Sequence, residues 1–153
     1  MISVFSPDRK YRYTLVREFV AGRGTIVFIL LNPSTADELL NDPTVSRCIH
    51  RAKVLGYKHL IVVNLFAFRS TDPKALYKEK DPIGPENDSW ILKCCGKADL
   101  IVAGWGAHGI LDHRGLDVRN MLERFPLMCL GRTKGGEPKH PLYIPNAAEL
   151  VPL

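Results

Sequence analysis

The residues best equipped for chemistry in this chain are two asparagines and a histidine, each placed where an apolar stretch has ended. Asn32 follows the run Thr25-Ile-Val-Phe-Ile-Leu-Leu31 and precedes Pro33, whose ring biases it toward an extended backbone. An amide there can position a water or read a hydrogen-bonding ligand; it can equally close a turn on its own backbone. Ser34 and Thr35 divide evenly between turn formation and ligand contact. Asn64 holds the same place after Leu60-Ile-Val-Val63, and an amide's paired donor and acceptor suit a nucleobase edge. Two strand-end asparagines in one crevice favour a functional reading for the pair. Phe66 and Phe68 alternate, so one can stack on a planar ligand while the other packs in the core. Arg69 either meets phosphate or caps the loop. His140 lies beside Lys134, Gly135, Gly136 and Lys139, where it can donate to a developing anion or contact phosphate. His108 is the second histidine of interest.

Other residues read more plainly. Trp105 between two glycines is a packing residue where backbones approach closely. Asp42 is a helix cap rather than a catalyst, and Asp37 and Asp72 are loop braces or bases. No GxGxxG, Walker loop or GxSxG is present, which argues against the common dinucleotide, P-loop and serine-hydrolase chemistries. Cys48, Cys94, Cys95 and Cys129 show no CxxC and no metal spacing, so they read as reduced thiols; no metal and no cofactor is expected.

These side chains need a scaffold that gathers strand ends. The stretch Tyr11–Arg17 alternates like an edge strand, with Ile2–Phe5 as a hairpin partner. Thr25–Leu31, Leu60–Val63, Leu100–Ala103 and Pro126–Leu130 are apolar runs typical of strands buried on both faces. Between them lie helices. One starts at Asp42-Pro43 and closes at Gly56; a second runs from Pro85 through Cys95; a third is marked by Val118, Met121, Leu122 and Phe125. Gly131–Leu153 carries little regular structure. Alternating strands and helices give right-handed crossovers and a parallel sheet covered on both faces. Such sheets bind ligands beyond the carboxyl ends of their strands. That rule selects Asn32–Asp37, Asn64–Arg69, Gly104–His108 and Gly131–Tyr143.

At 153 residues, the chain reads as one domain, 1–153, able to build its own core. Its longest apolar run is too short to span a bilayer and its start lacks a signal-peptide pattern, so a cytoplasmic protein is expected, with no membrane partner. A net charge of +5 fits polyanion binding without requiring it.

The strings Leu31-Asn-Pro-Ser-Thr-Ala-Asp37, Asp42-Pro-Thr44, Arg47-Cys48, Val63-Asn-Leu-Phe-Ala67, Arg69, Gly84-Pro-Glu-Asn87 and His140-Pro-Leu-Tyr143 resemble a bacterial and phage family known only as a domain of unknown function. That likeness covers nearly the whole chain and brings no activity with it. A more distant likeness is to the uracil-DNA glycosylase superfamily. Asn32-Pro33-Ser34 is similar to an Asn-Pro-Gly motif whose asparagine helps hold the attacking water. Val62-Val63-Asn64 is similar to Leu-Leu-Asn, which ends in a base-reading asparagine. Gly104-Trp105-Gly106 resembles a Leu-Trp-Gly string. His140-Pro141-Leu142 resembles a His-Pro-Ser loop whose histidine donates to the departing base.

This second resemblance implies a three-layer α/β/α domain with a short, mainly parallel four-stranded sheet plus the N-terminal edge strand or hairpin. It also implies hydrolysis of an N-glycosidic bond, in DNA or in a modified nucleotide, by water attack. On that reading Asn32, aided by Ser34, orients water; Asn64 reads the base edge; Phe66 stacks; His140 receives the leaving base; Thr35, Lys134, Lys139 and Arg69 complete the substrate contacts, mainly to phosphate. Leu142 in place of the serine weakens the phosphate contact, and the strong acidic residue of the most active branch is absent, so slow hydrolysis is expected. The alternatives are a non-catalytic nucleic-acid or nucleotide binding module on the same fold, or an enzyme acting on a small metabolite.

Overall fold

The computed structural model describes residues 1–153. Seven strands form one sheet: β1 (Val4–Phe5), β2 (Arg12–Glu18), β3 (Thr25–Leu30), β4 (His59–Asn64), β5 (Leu100–Ala103), β6 (Leu127–Cys129) and β7 (Val151–Pro152). They lie in the order β1-β2-β4-β3-β5-β6-β7. The middle four, β4, β3, β5 and β6, run parallel; β2 joins β4 antiparallel and β7 joins β6 antiparallel. The four expected core strands are thus embedded in a larger sheet, which corrects the expectation of four strands plus a hairpin. β7 escapes sequence reading because two residues show no alternation, and its Pro152 is tolerable only at an edge.

Helices cover both faces, and β3 shows why its run is apolar throughout. Ile26, Phe28 and Leu30 pack toward α1 (Pro43–Val54), with its Val45, Cys48 and Ala52. Val27 and Ile29 point the other way, toward α2 (Asn87–Cys95) and α3 (Arg114–Met121), with Ile91, Cys94 and Val118. The two-residue period sends alternate side chains into opposite cores, so neither parity can be polar. α1 begins as its residues dictate: Asp42 accepts the Val45 N–H at 2.8 Å and Pro43 occupies the first turn. Gly56, at φ +83°, lets the chain reverse after it.

α3 starts at Arg114, earlier than its apolar residues indicate, and stops at Met121; Leu122 and Phe125 fall in the following turn. A buried polar anchor sets that start. The Arg114 Nε donates to the Leu65 carbonyl at 2.9 Å, and its Nη2 pairs with Asp88 at 2.5 Å. Gly131–Leu153 holds a short 3-10 turn at Pro141–Tyr143 besides β7. No helix is long and apolar enough to cross a membrane.

Candidate active site

A cavity of ≈ 730 Å³ opens beyond the carboxyl ends of β3 and β5. Five connections wall it: Leu31–Thr35 after β3, Asp42–Thr44 at the start of α1, Ser70–Pro73 after β4, Trp105–His108 after β5, and Thr133 with Lys139–Ile144 after β6. The crevice predicted from strand order and this cavity coincide at three of the connections; after β4 the wall is Ser70–Pro73, just past the expected Asn64–Arg69.

Asn32 enters the cavity half-buried, with its amide locked. Nδ2 donates to the Pro33 carbonyl at 3.1 Å and the Ser70 carbonyl at 3.0 Å, with the Phe68 carbonyl at 3.5 Å. Three carbonyl oxygens around one end of the amide require the nitrogen there, because an oxygen would be repelled. Oδ1 takes no part in these bonds and is the end left to accept from a ligand or water. Ser34 and Thr35 share the same wall.

His140 stands on another wall, and several contacts put it there. Gly104 has no room for a side chain: a Cβ would meet Pro141 Cδ at 3.0 Å and Leu30 Cδ2 at 3.3 Å. Gly106, at φ +73°, takes a backbone form that costs other residues strain. The two glycines flanking Trp105 therefore let the His140 loop lie directly against the end of β5. From α1, Arg47 donates to the Ile144 carbonyl at 2.9 Å, and Arg51 donates to Pro145 and Ala148 carbonyls at 2.7 and 3.0 Å. Nδ1 of His140 accepts the Leu142 N–H at 3.2 Å, so the neutral ring carries its proton on Nε2. Burial pushes this imidazole below its ordinary value, against an opposing pull from the Asp42 charge. The site thus holds a neutral donor as well as an oriented acceptor.

The remaining walls are aromatic and polar. Trp105, almost wholly buried, is pinned through its indole N–H to Glu137 Oε2 at 2.6 Å. A Cβ on Gly109 would fall 2.1 Å from the indole, so the close backbone approach expected around Trp105 is real. Trp105 is nonetheless among the residues that line the cavity. His108 lines it too, with Nδ1 3.1 Å from the Tyr77 hydroxyl. Tyr143, 80% exposed, sits with its ring centre 6.0 Å from that of His140.

The structure brings together Asn32, Ser34, Thr35, Lys139 and His140 of the expected residues and leaves four others off the lining. Asn64 is 1% exposed, and neither amide atom has a protein partner. Phe66 is fully buried in the core shared with α2 and α3, so the ring expected to stack packs instead. The reason is pairing: Leu65 and Phe66 donate to the Leu30 and Leu31 carbonyls, carrying the strand inward past the rim. Arg69 donates to the Arg9 carbonyl at 3.3 Å and lies over the Phe5 ring, bracing its loop rather than facing the cavity. Lys134 is exposed on the turn between Thr133 and Glu137. Sequence reading did not single out Thr44, Ser70, Thr71 or Pro73 as lining residues, and it set Asp42 aside. Asp42 was legible only as a cap, and it is a cap that also faces the cavity.

All four cysteines are buried and unbonded; burial pushes the thiols of Cys94 to about 11 and Cys95 to about 12, which leaves both unreactive at neutral pH. No group of three or more His, Cys, Asp or Glu side chains is placed to hold a metal ion. No curated protein and no solved structure matches the chain. A family model described as "Protein of unknown function (DUF1643)" matches residues 12–142, so the chain belongs to that family.

Proposed function

We propose that the cavity handles a nucleobase or nucleotide and hydrolyses its N-glycosidic bond by water attack, on a fold akin to that of the uracil-DNA glycosylases. One observation carries the reading: Asn32 and His140 line the same cavity, each fixed to backbone through one polar atom with the other free of a protein partner. Asn32 Oδ1 accepts from water and aims it at the sugar carbon. His140 Nε2–H donates to the base as negative charge gathers on it, and a neutral donor already in place needs no reorganisation. Ser34 and Thr35 supply hydroxyls near the water, and Lys139 supplies charge for phosphate. The stacking role expected of Phe66 passes to Tyr143, which lines the cavity and is exposed. Asn64 reads the base edge only if the wall opens, since its amide is buried.

A panel of deaminated and modified bases, in oligonucleotides and as free nucleotides, with mass spectrometry for released base, tests this. Wild-type protein should release base from at least one substrate. Asn32→Ala and His140→Ala should each lower the rate by about 100-fold or more without loss of near-UV circular dichroism. Salt-sensitive binding with no release on any substrate would establish the non-catalytic module instead. Within the catalytic reading, a free nucleotide is favoured over duplex DNA. The lining carries one lysine, while Arg69 and Lys134 lie off it, and a flipped base in a polymer would need phosphate contacts on both sides.

A further inference from the structure

A helix cap uses one carboxylate oxygen, and Asp42 has both engaged while still facing the cavity. Oδ1 accepts the Val45 N–H at 2.8 Å as the cap of α1, and Oδ2 accepts the Ala36 N–H at 3.3 Å, from the connection that carries Asn32 and Ser34. Both partners are neutral, and no arginine, lysine or histidine nitrogen lies within 4.0 Å. Each carboxylate oxygen keeps acceptor capacity beyond its one bond. Asp42 is 7% exposed, and it is the only carboxylate on the cavity wall. A fixed anion in a space walled by Leu31, Pro43 and Trp105 is screened far less than one at an open surface. The His140 imidazole across the cavity feels it. Arg12, 2% exposed, and Arg17, both off the lining, feel the Asp42 charge and balance it in part.

We propose that Asp42 is a catalytic residue as well as a cap: its carboxylate stabilises the positive charge that grows on the sugar carbon as the bond to the base breaks. This rests on the N-glycosidic reading above and deepens it. The bond between sugar carbon and base nitrogen breaks with its electron pair passing to the base, and the water oxygen aimed by Asn32 bonds to the carbon. The water's surplus proton leaves to solvent, and a proton from solvent completes the released base. An anion at Asp42 favours a neutral nucleophile and a cationic transition state, and repels an anionic attacker. It therefore selects hydrolysis over transfer to phosphate or to another anionic acceptor.

Asp42→Asn and Asp42→Ser test the role: both keep a cap acceptor for Val45 while carrying no charge. Each gives up the bond from Ala36, and the substrate-free titration of His140 reads the lost charge separately from that lost bond. Both should keep the melting temperature within a few degrees and KM within about threefold, and lose about 100-fold in kcat, the pattern of an interaction made only in the transition state. Wild-type kcat in either variant would overturn the proposal, as would a loss confined to KM or to stability. The titration of His140, followed by NMR without substrate, gives a second readout. Asp42→Asn should move its pKa below the wild-type value, and an unmoved pKa would overturn the claim that the charge reaches the cavity. If wild-type protein releases no base from any substrate, the N-glycosidic reading falls and the kinetic role with it. The substrate-free titration then reports separately whether Asp42 presents its charge there.

Discussion

Asn32 and His140 share a device: on each, one polar atom is tied to backbone and the other has no protein partner, at a residue that lines the cavity. For Asn32 this makes the isosteric change to aspartate more damaging than its shape implies. The substitution would set a carboxylate oxygen against carbonyls at 3.0 and 3.1 Å, so Asn32→Asp should cost about 1–3 kcal/mol in urea unfolding and release the 68–70 segment. For His140 the consequence is pH dependence. Burial lowers its folded pKa below the ordinary 6.5, so the folded state binds fewer protons than the unfolded one as acid is added. The stability it contributes is full above pH 6.5 and is lost as pH falls from there through the lowered value. Urea unfolding at pH 7.5 and pH 5 should show this loss in wild type and a smaller one in His140→Gln. Base release should likewise persist below pH 6.5 and fade only where the imidazole finally protonates. The identities of these two residues were legible from their positions after a buried run and in a Gly-rich loop. Their aim was not, because each is fixed by main-chain atoms that leave no letter behind.

At the scale of elements, α1 organises the site from both ends. Its cap holds the connection after β3 through Ala36, and its two arginines hold the chain after His140. Arg51→Met should remove two charge-assisted bonds to carbonyls and cost about 2–4 kcal/mol, measured by chemical denaturation. Arg51→Lys should recover only part of this, since one ammonium cannot match the guanidinium fork across two carbonyls. On the β5 side, Gly106→Ala should cost about 1–2 kcal/mol for its positive φ, while Gly104→Ala should push the His140 loop outward and lower activity more than stability. The parallel strands and α1 were readable because burial on both faces and an Asp-Pro start are written locally. Arg51, by contrast, looked like a solvated helix residue, since its partners lie 94 and 97 positions away. The same distance hid Phe66: alternation in a short segment gives no sign of which ring the core will take.

Across the whole molecule, strand order did the predictive work for the site. Once the parallel strands were placed, the rule that ligands bind beyond their carboxyl ends selected three of the five walls. The other two are Asp42–Thr44, a helix start of a kind too common to be flagged by type, and Ser70–Pro73, a turn just past the selected Asn64–Arg69. The net charge of +5 is spread widely, with a single lysine on the cavity. A nucleotide ligand should therefore lose affinity only shallowly with salt, with a slope of about 1–2 in log–log form, where a polymer would show a steeper one. Direct titration at three salt concentrations measures it. One consequence of the grip on Asn32 reaches beyond this chain. Main-chain oxygens do the gripping, so the side chains from 68 to 71 act on it only indirectly, by holding their loop in place as Arg69 and Phe68 do. Length matters more: in a relative, a single inserted residue between β4 and Pro73 would preserve each motif letter and still shift the carbonyls that hold the Asn32 amide.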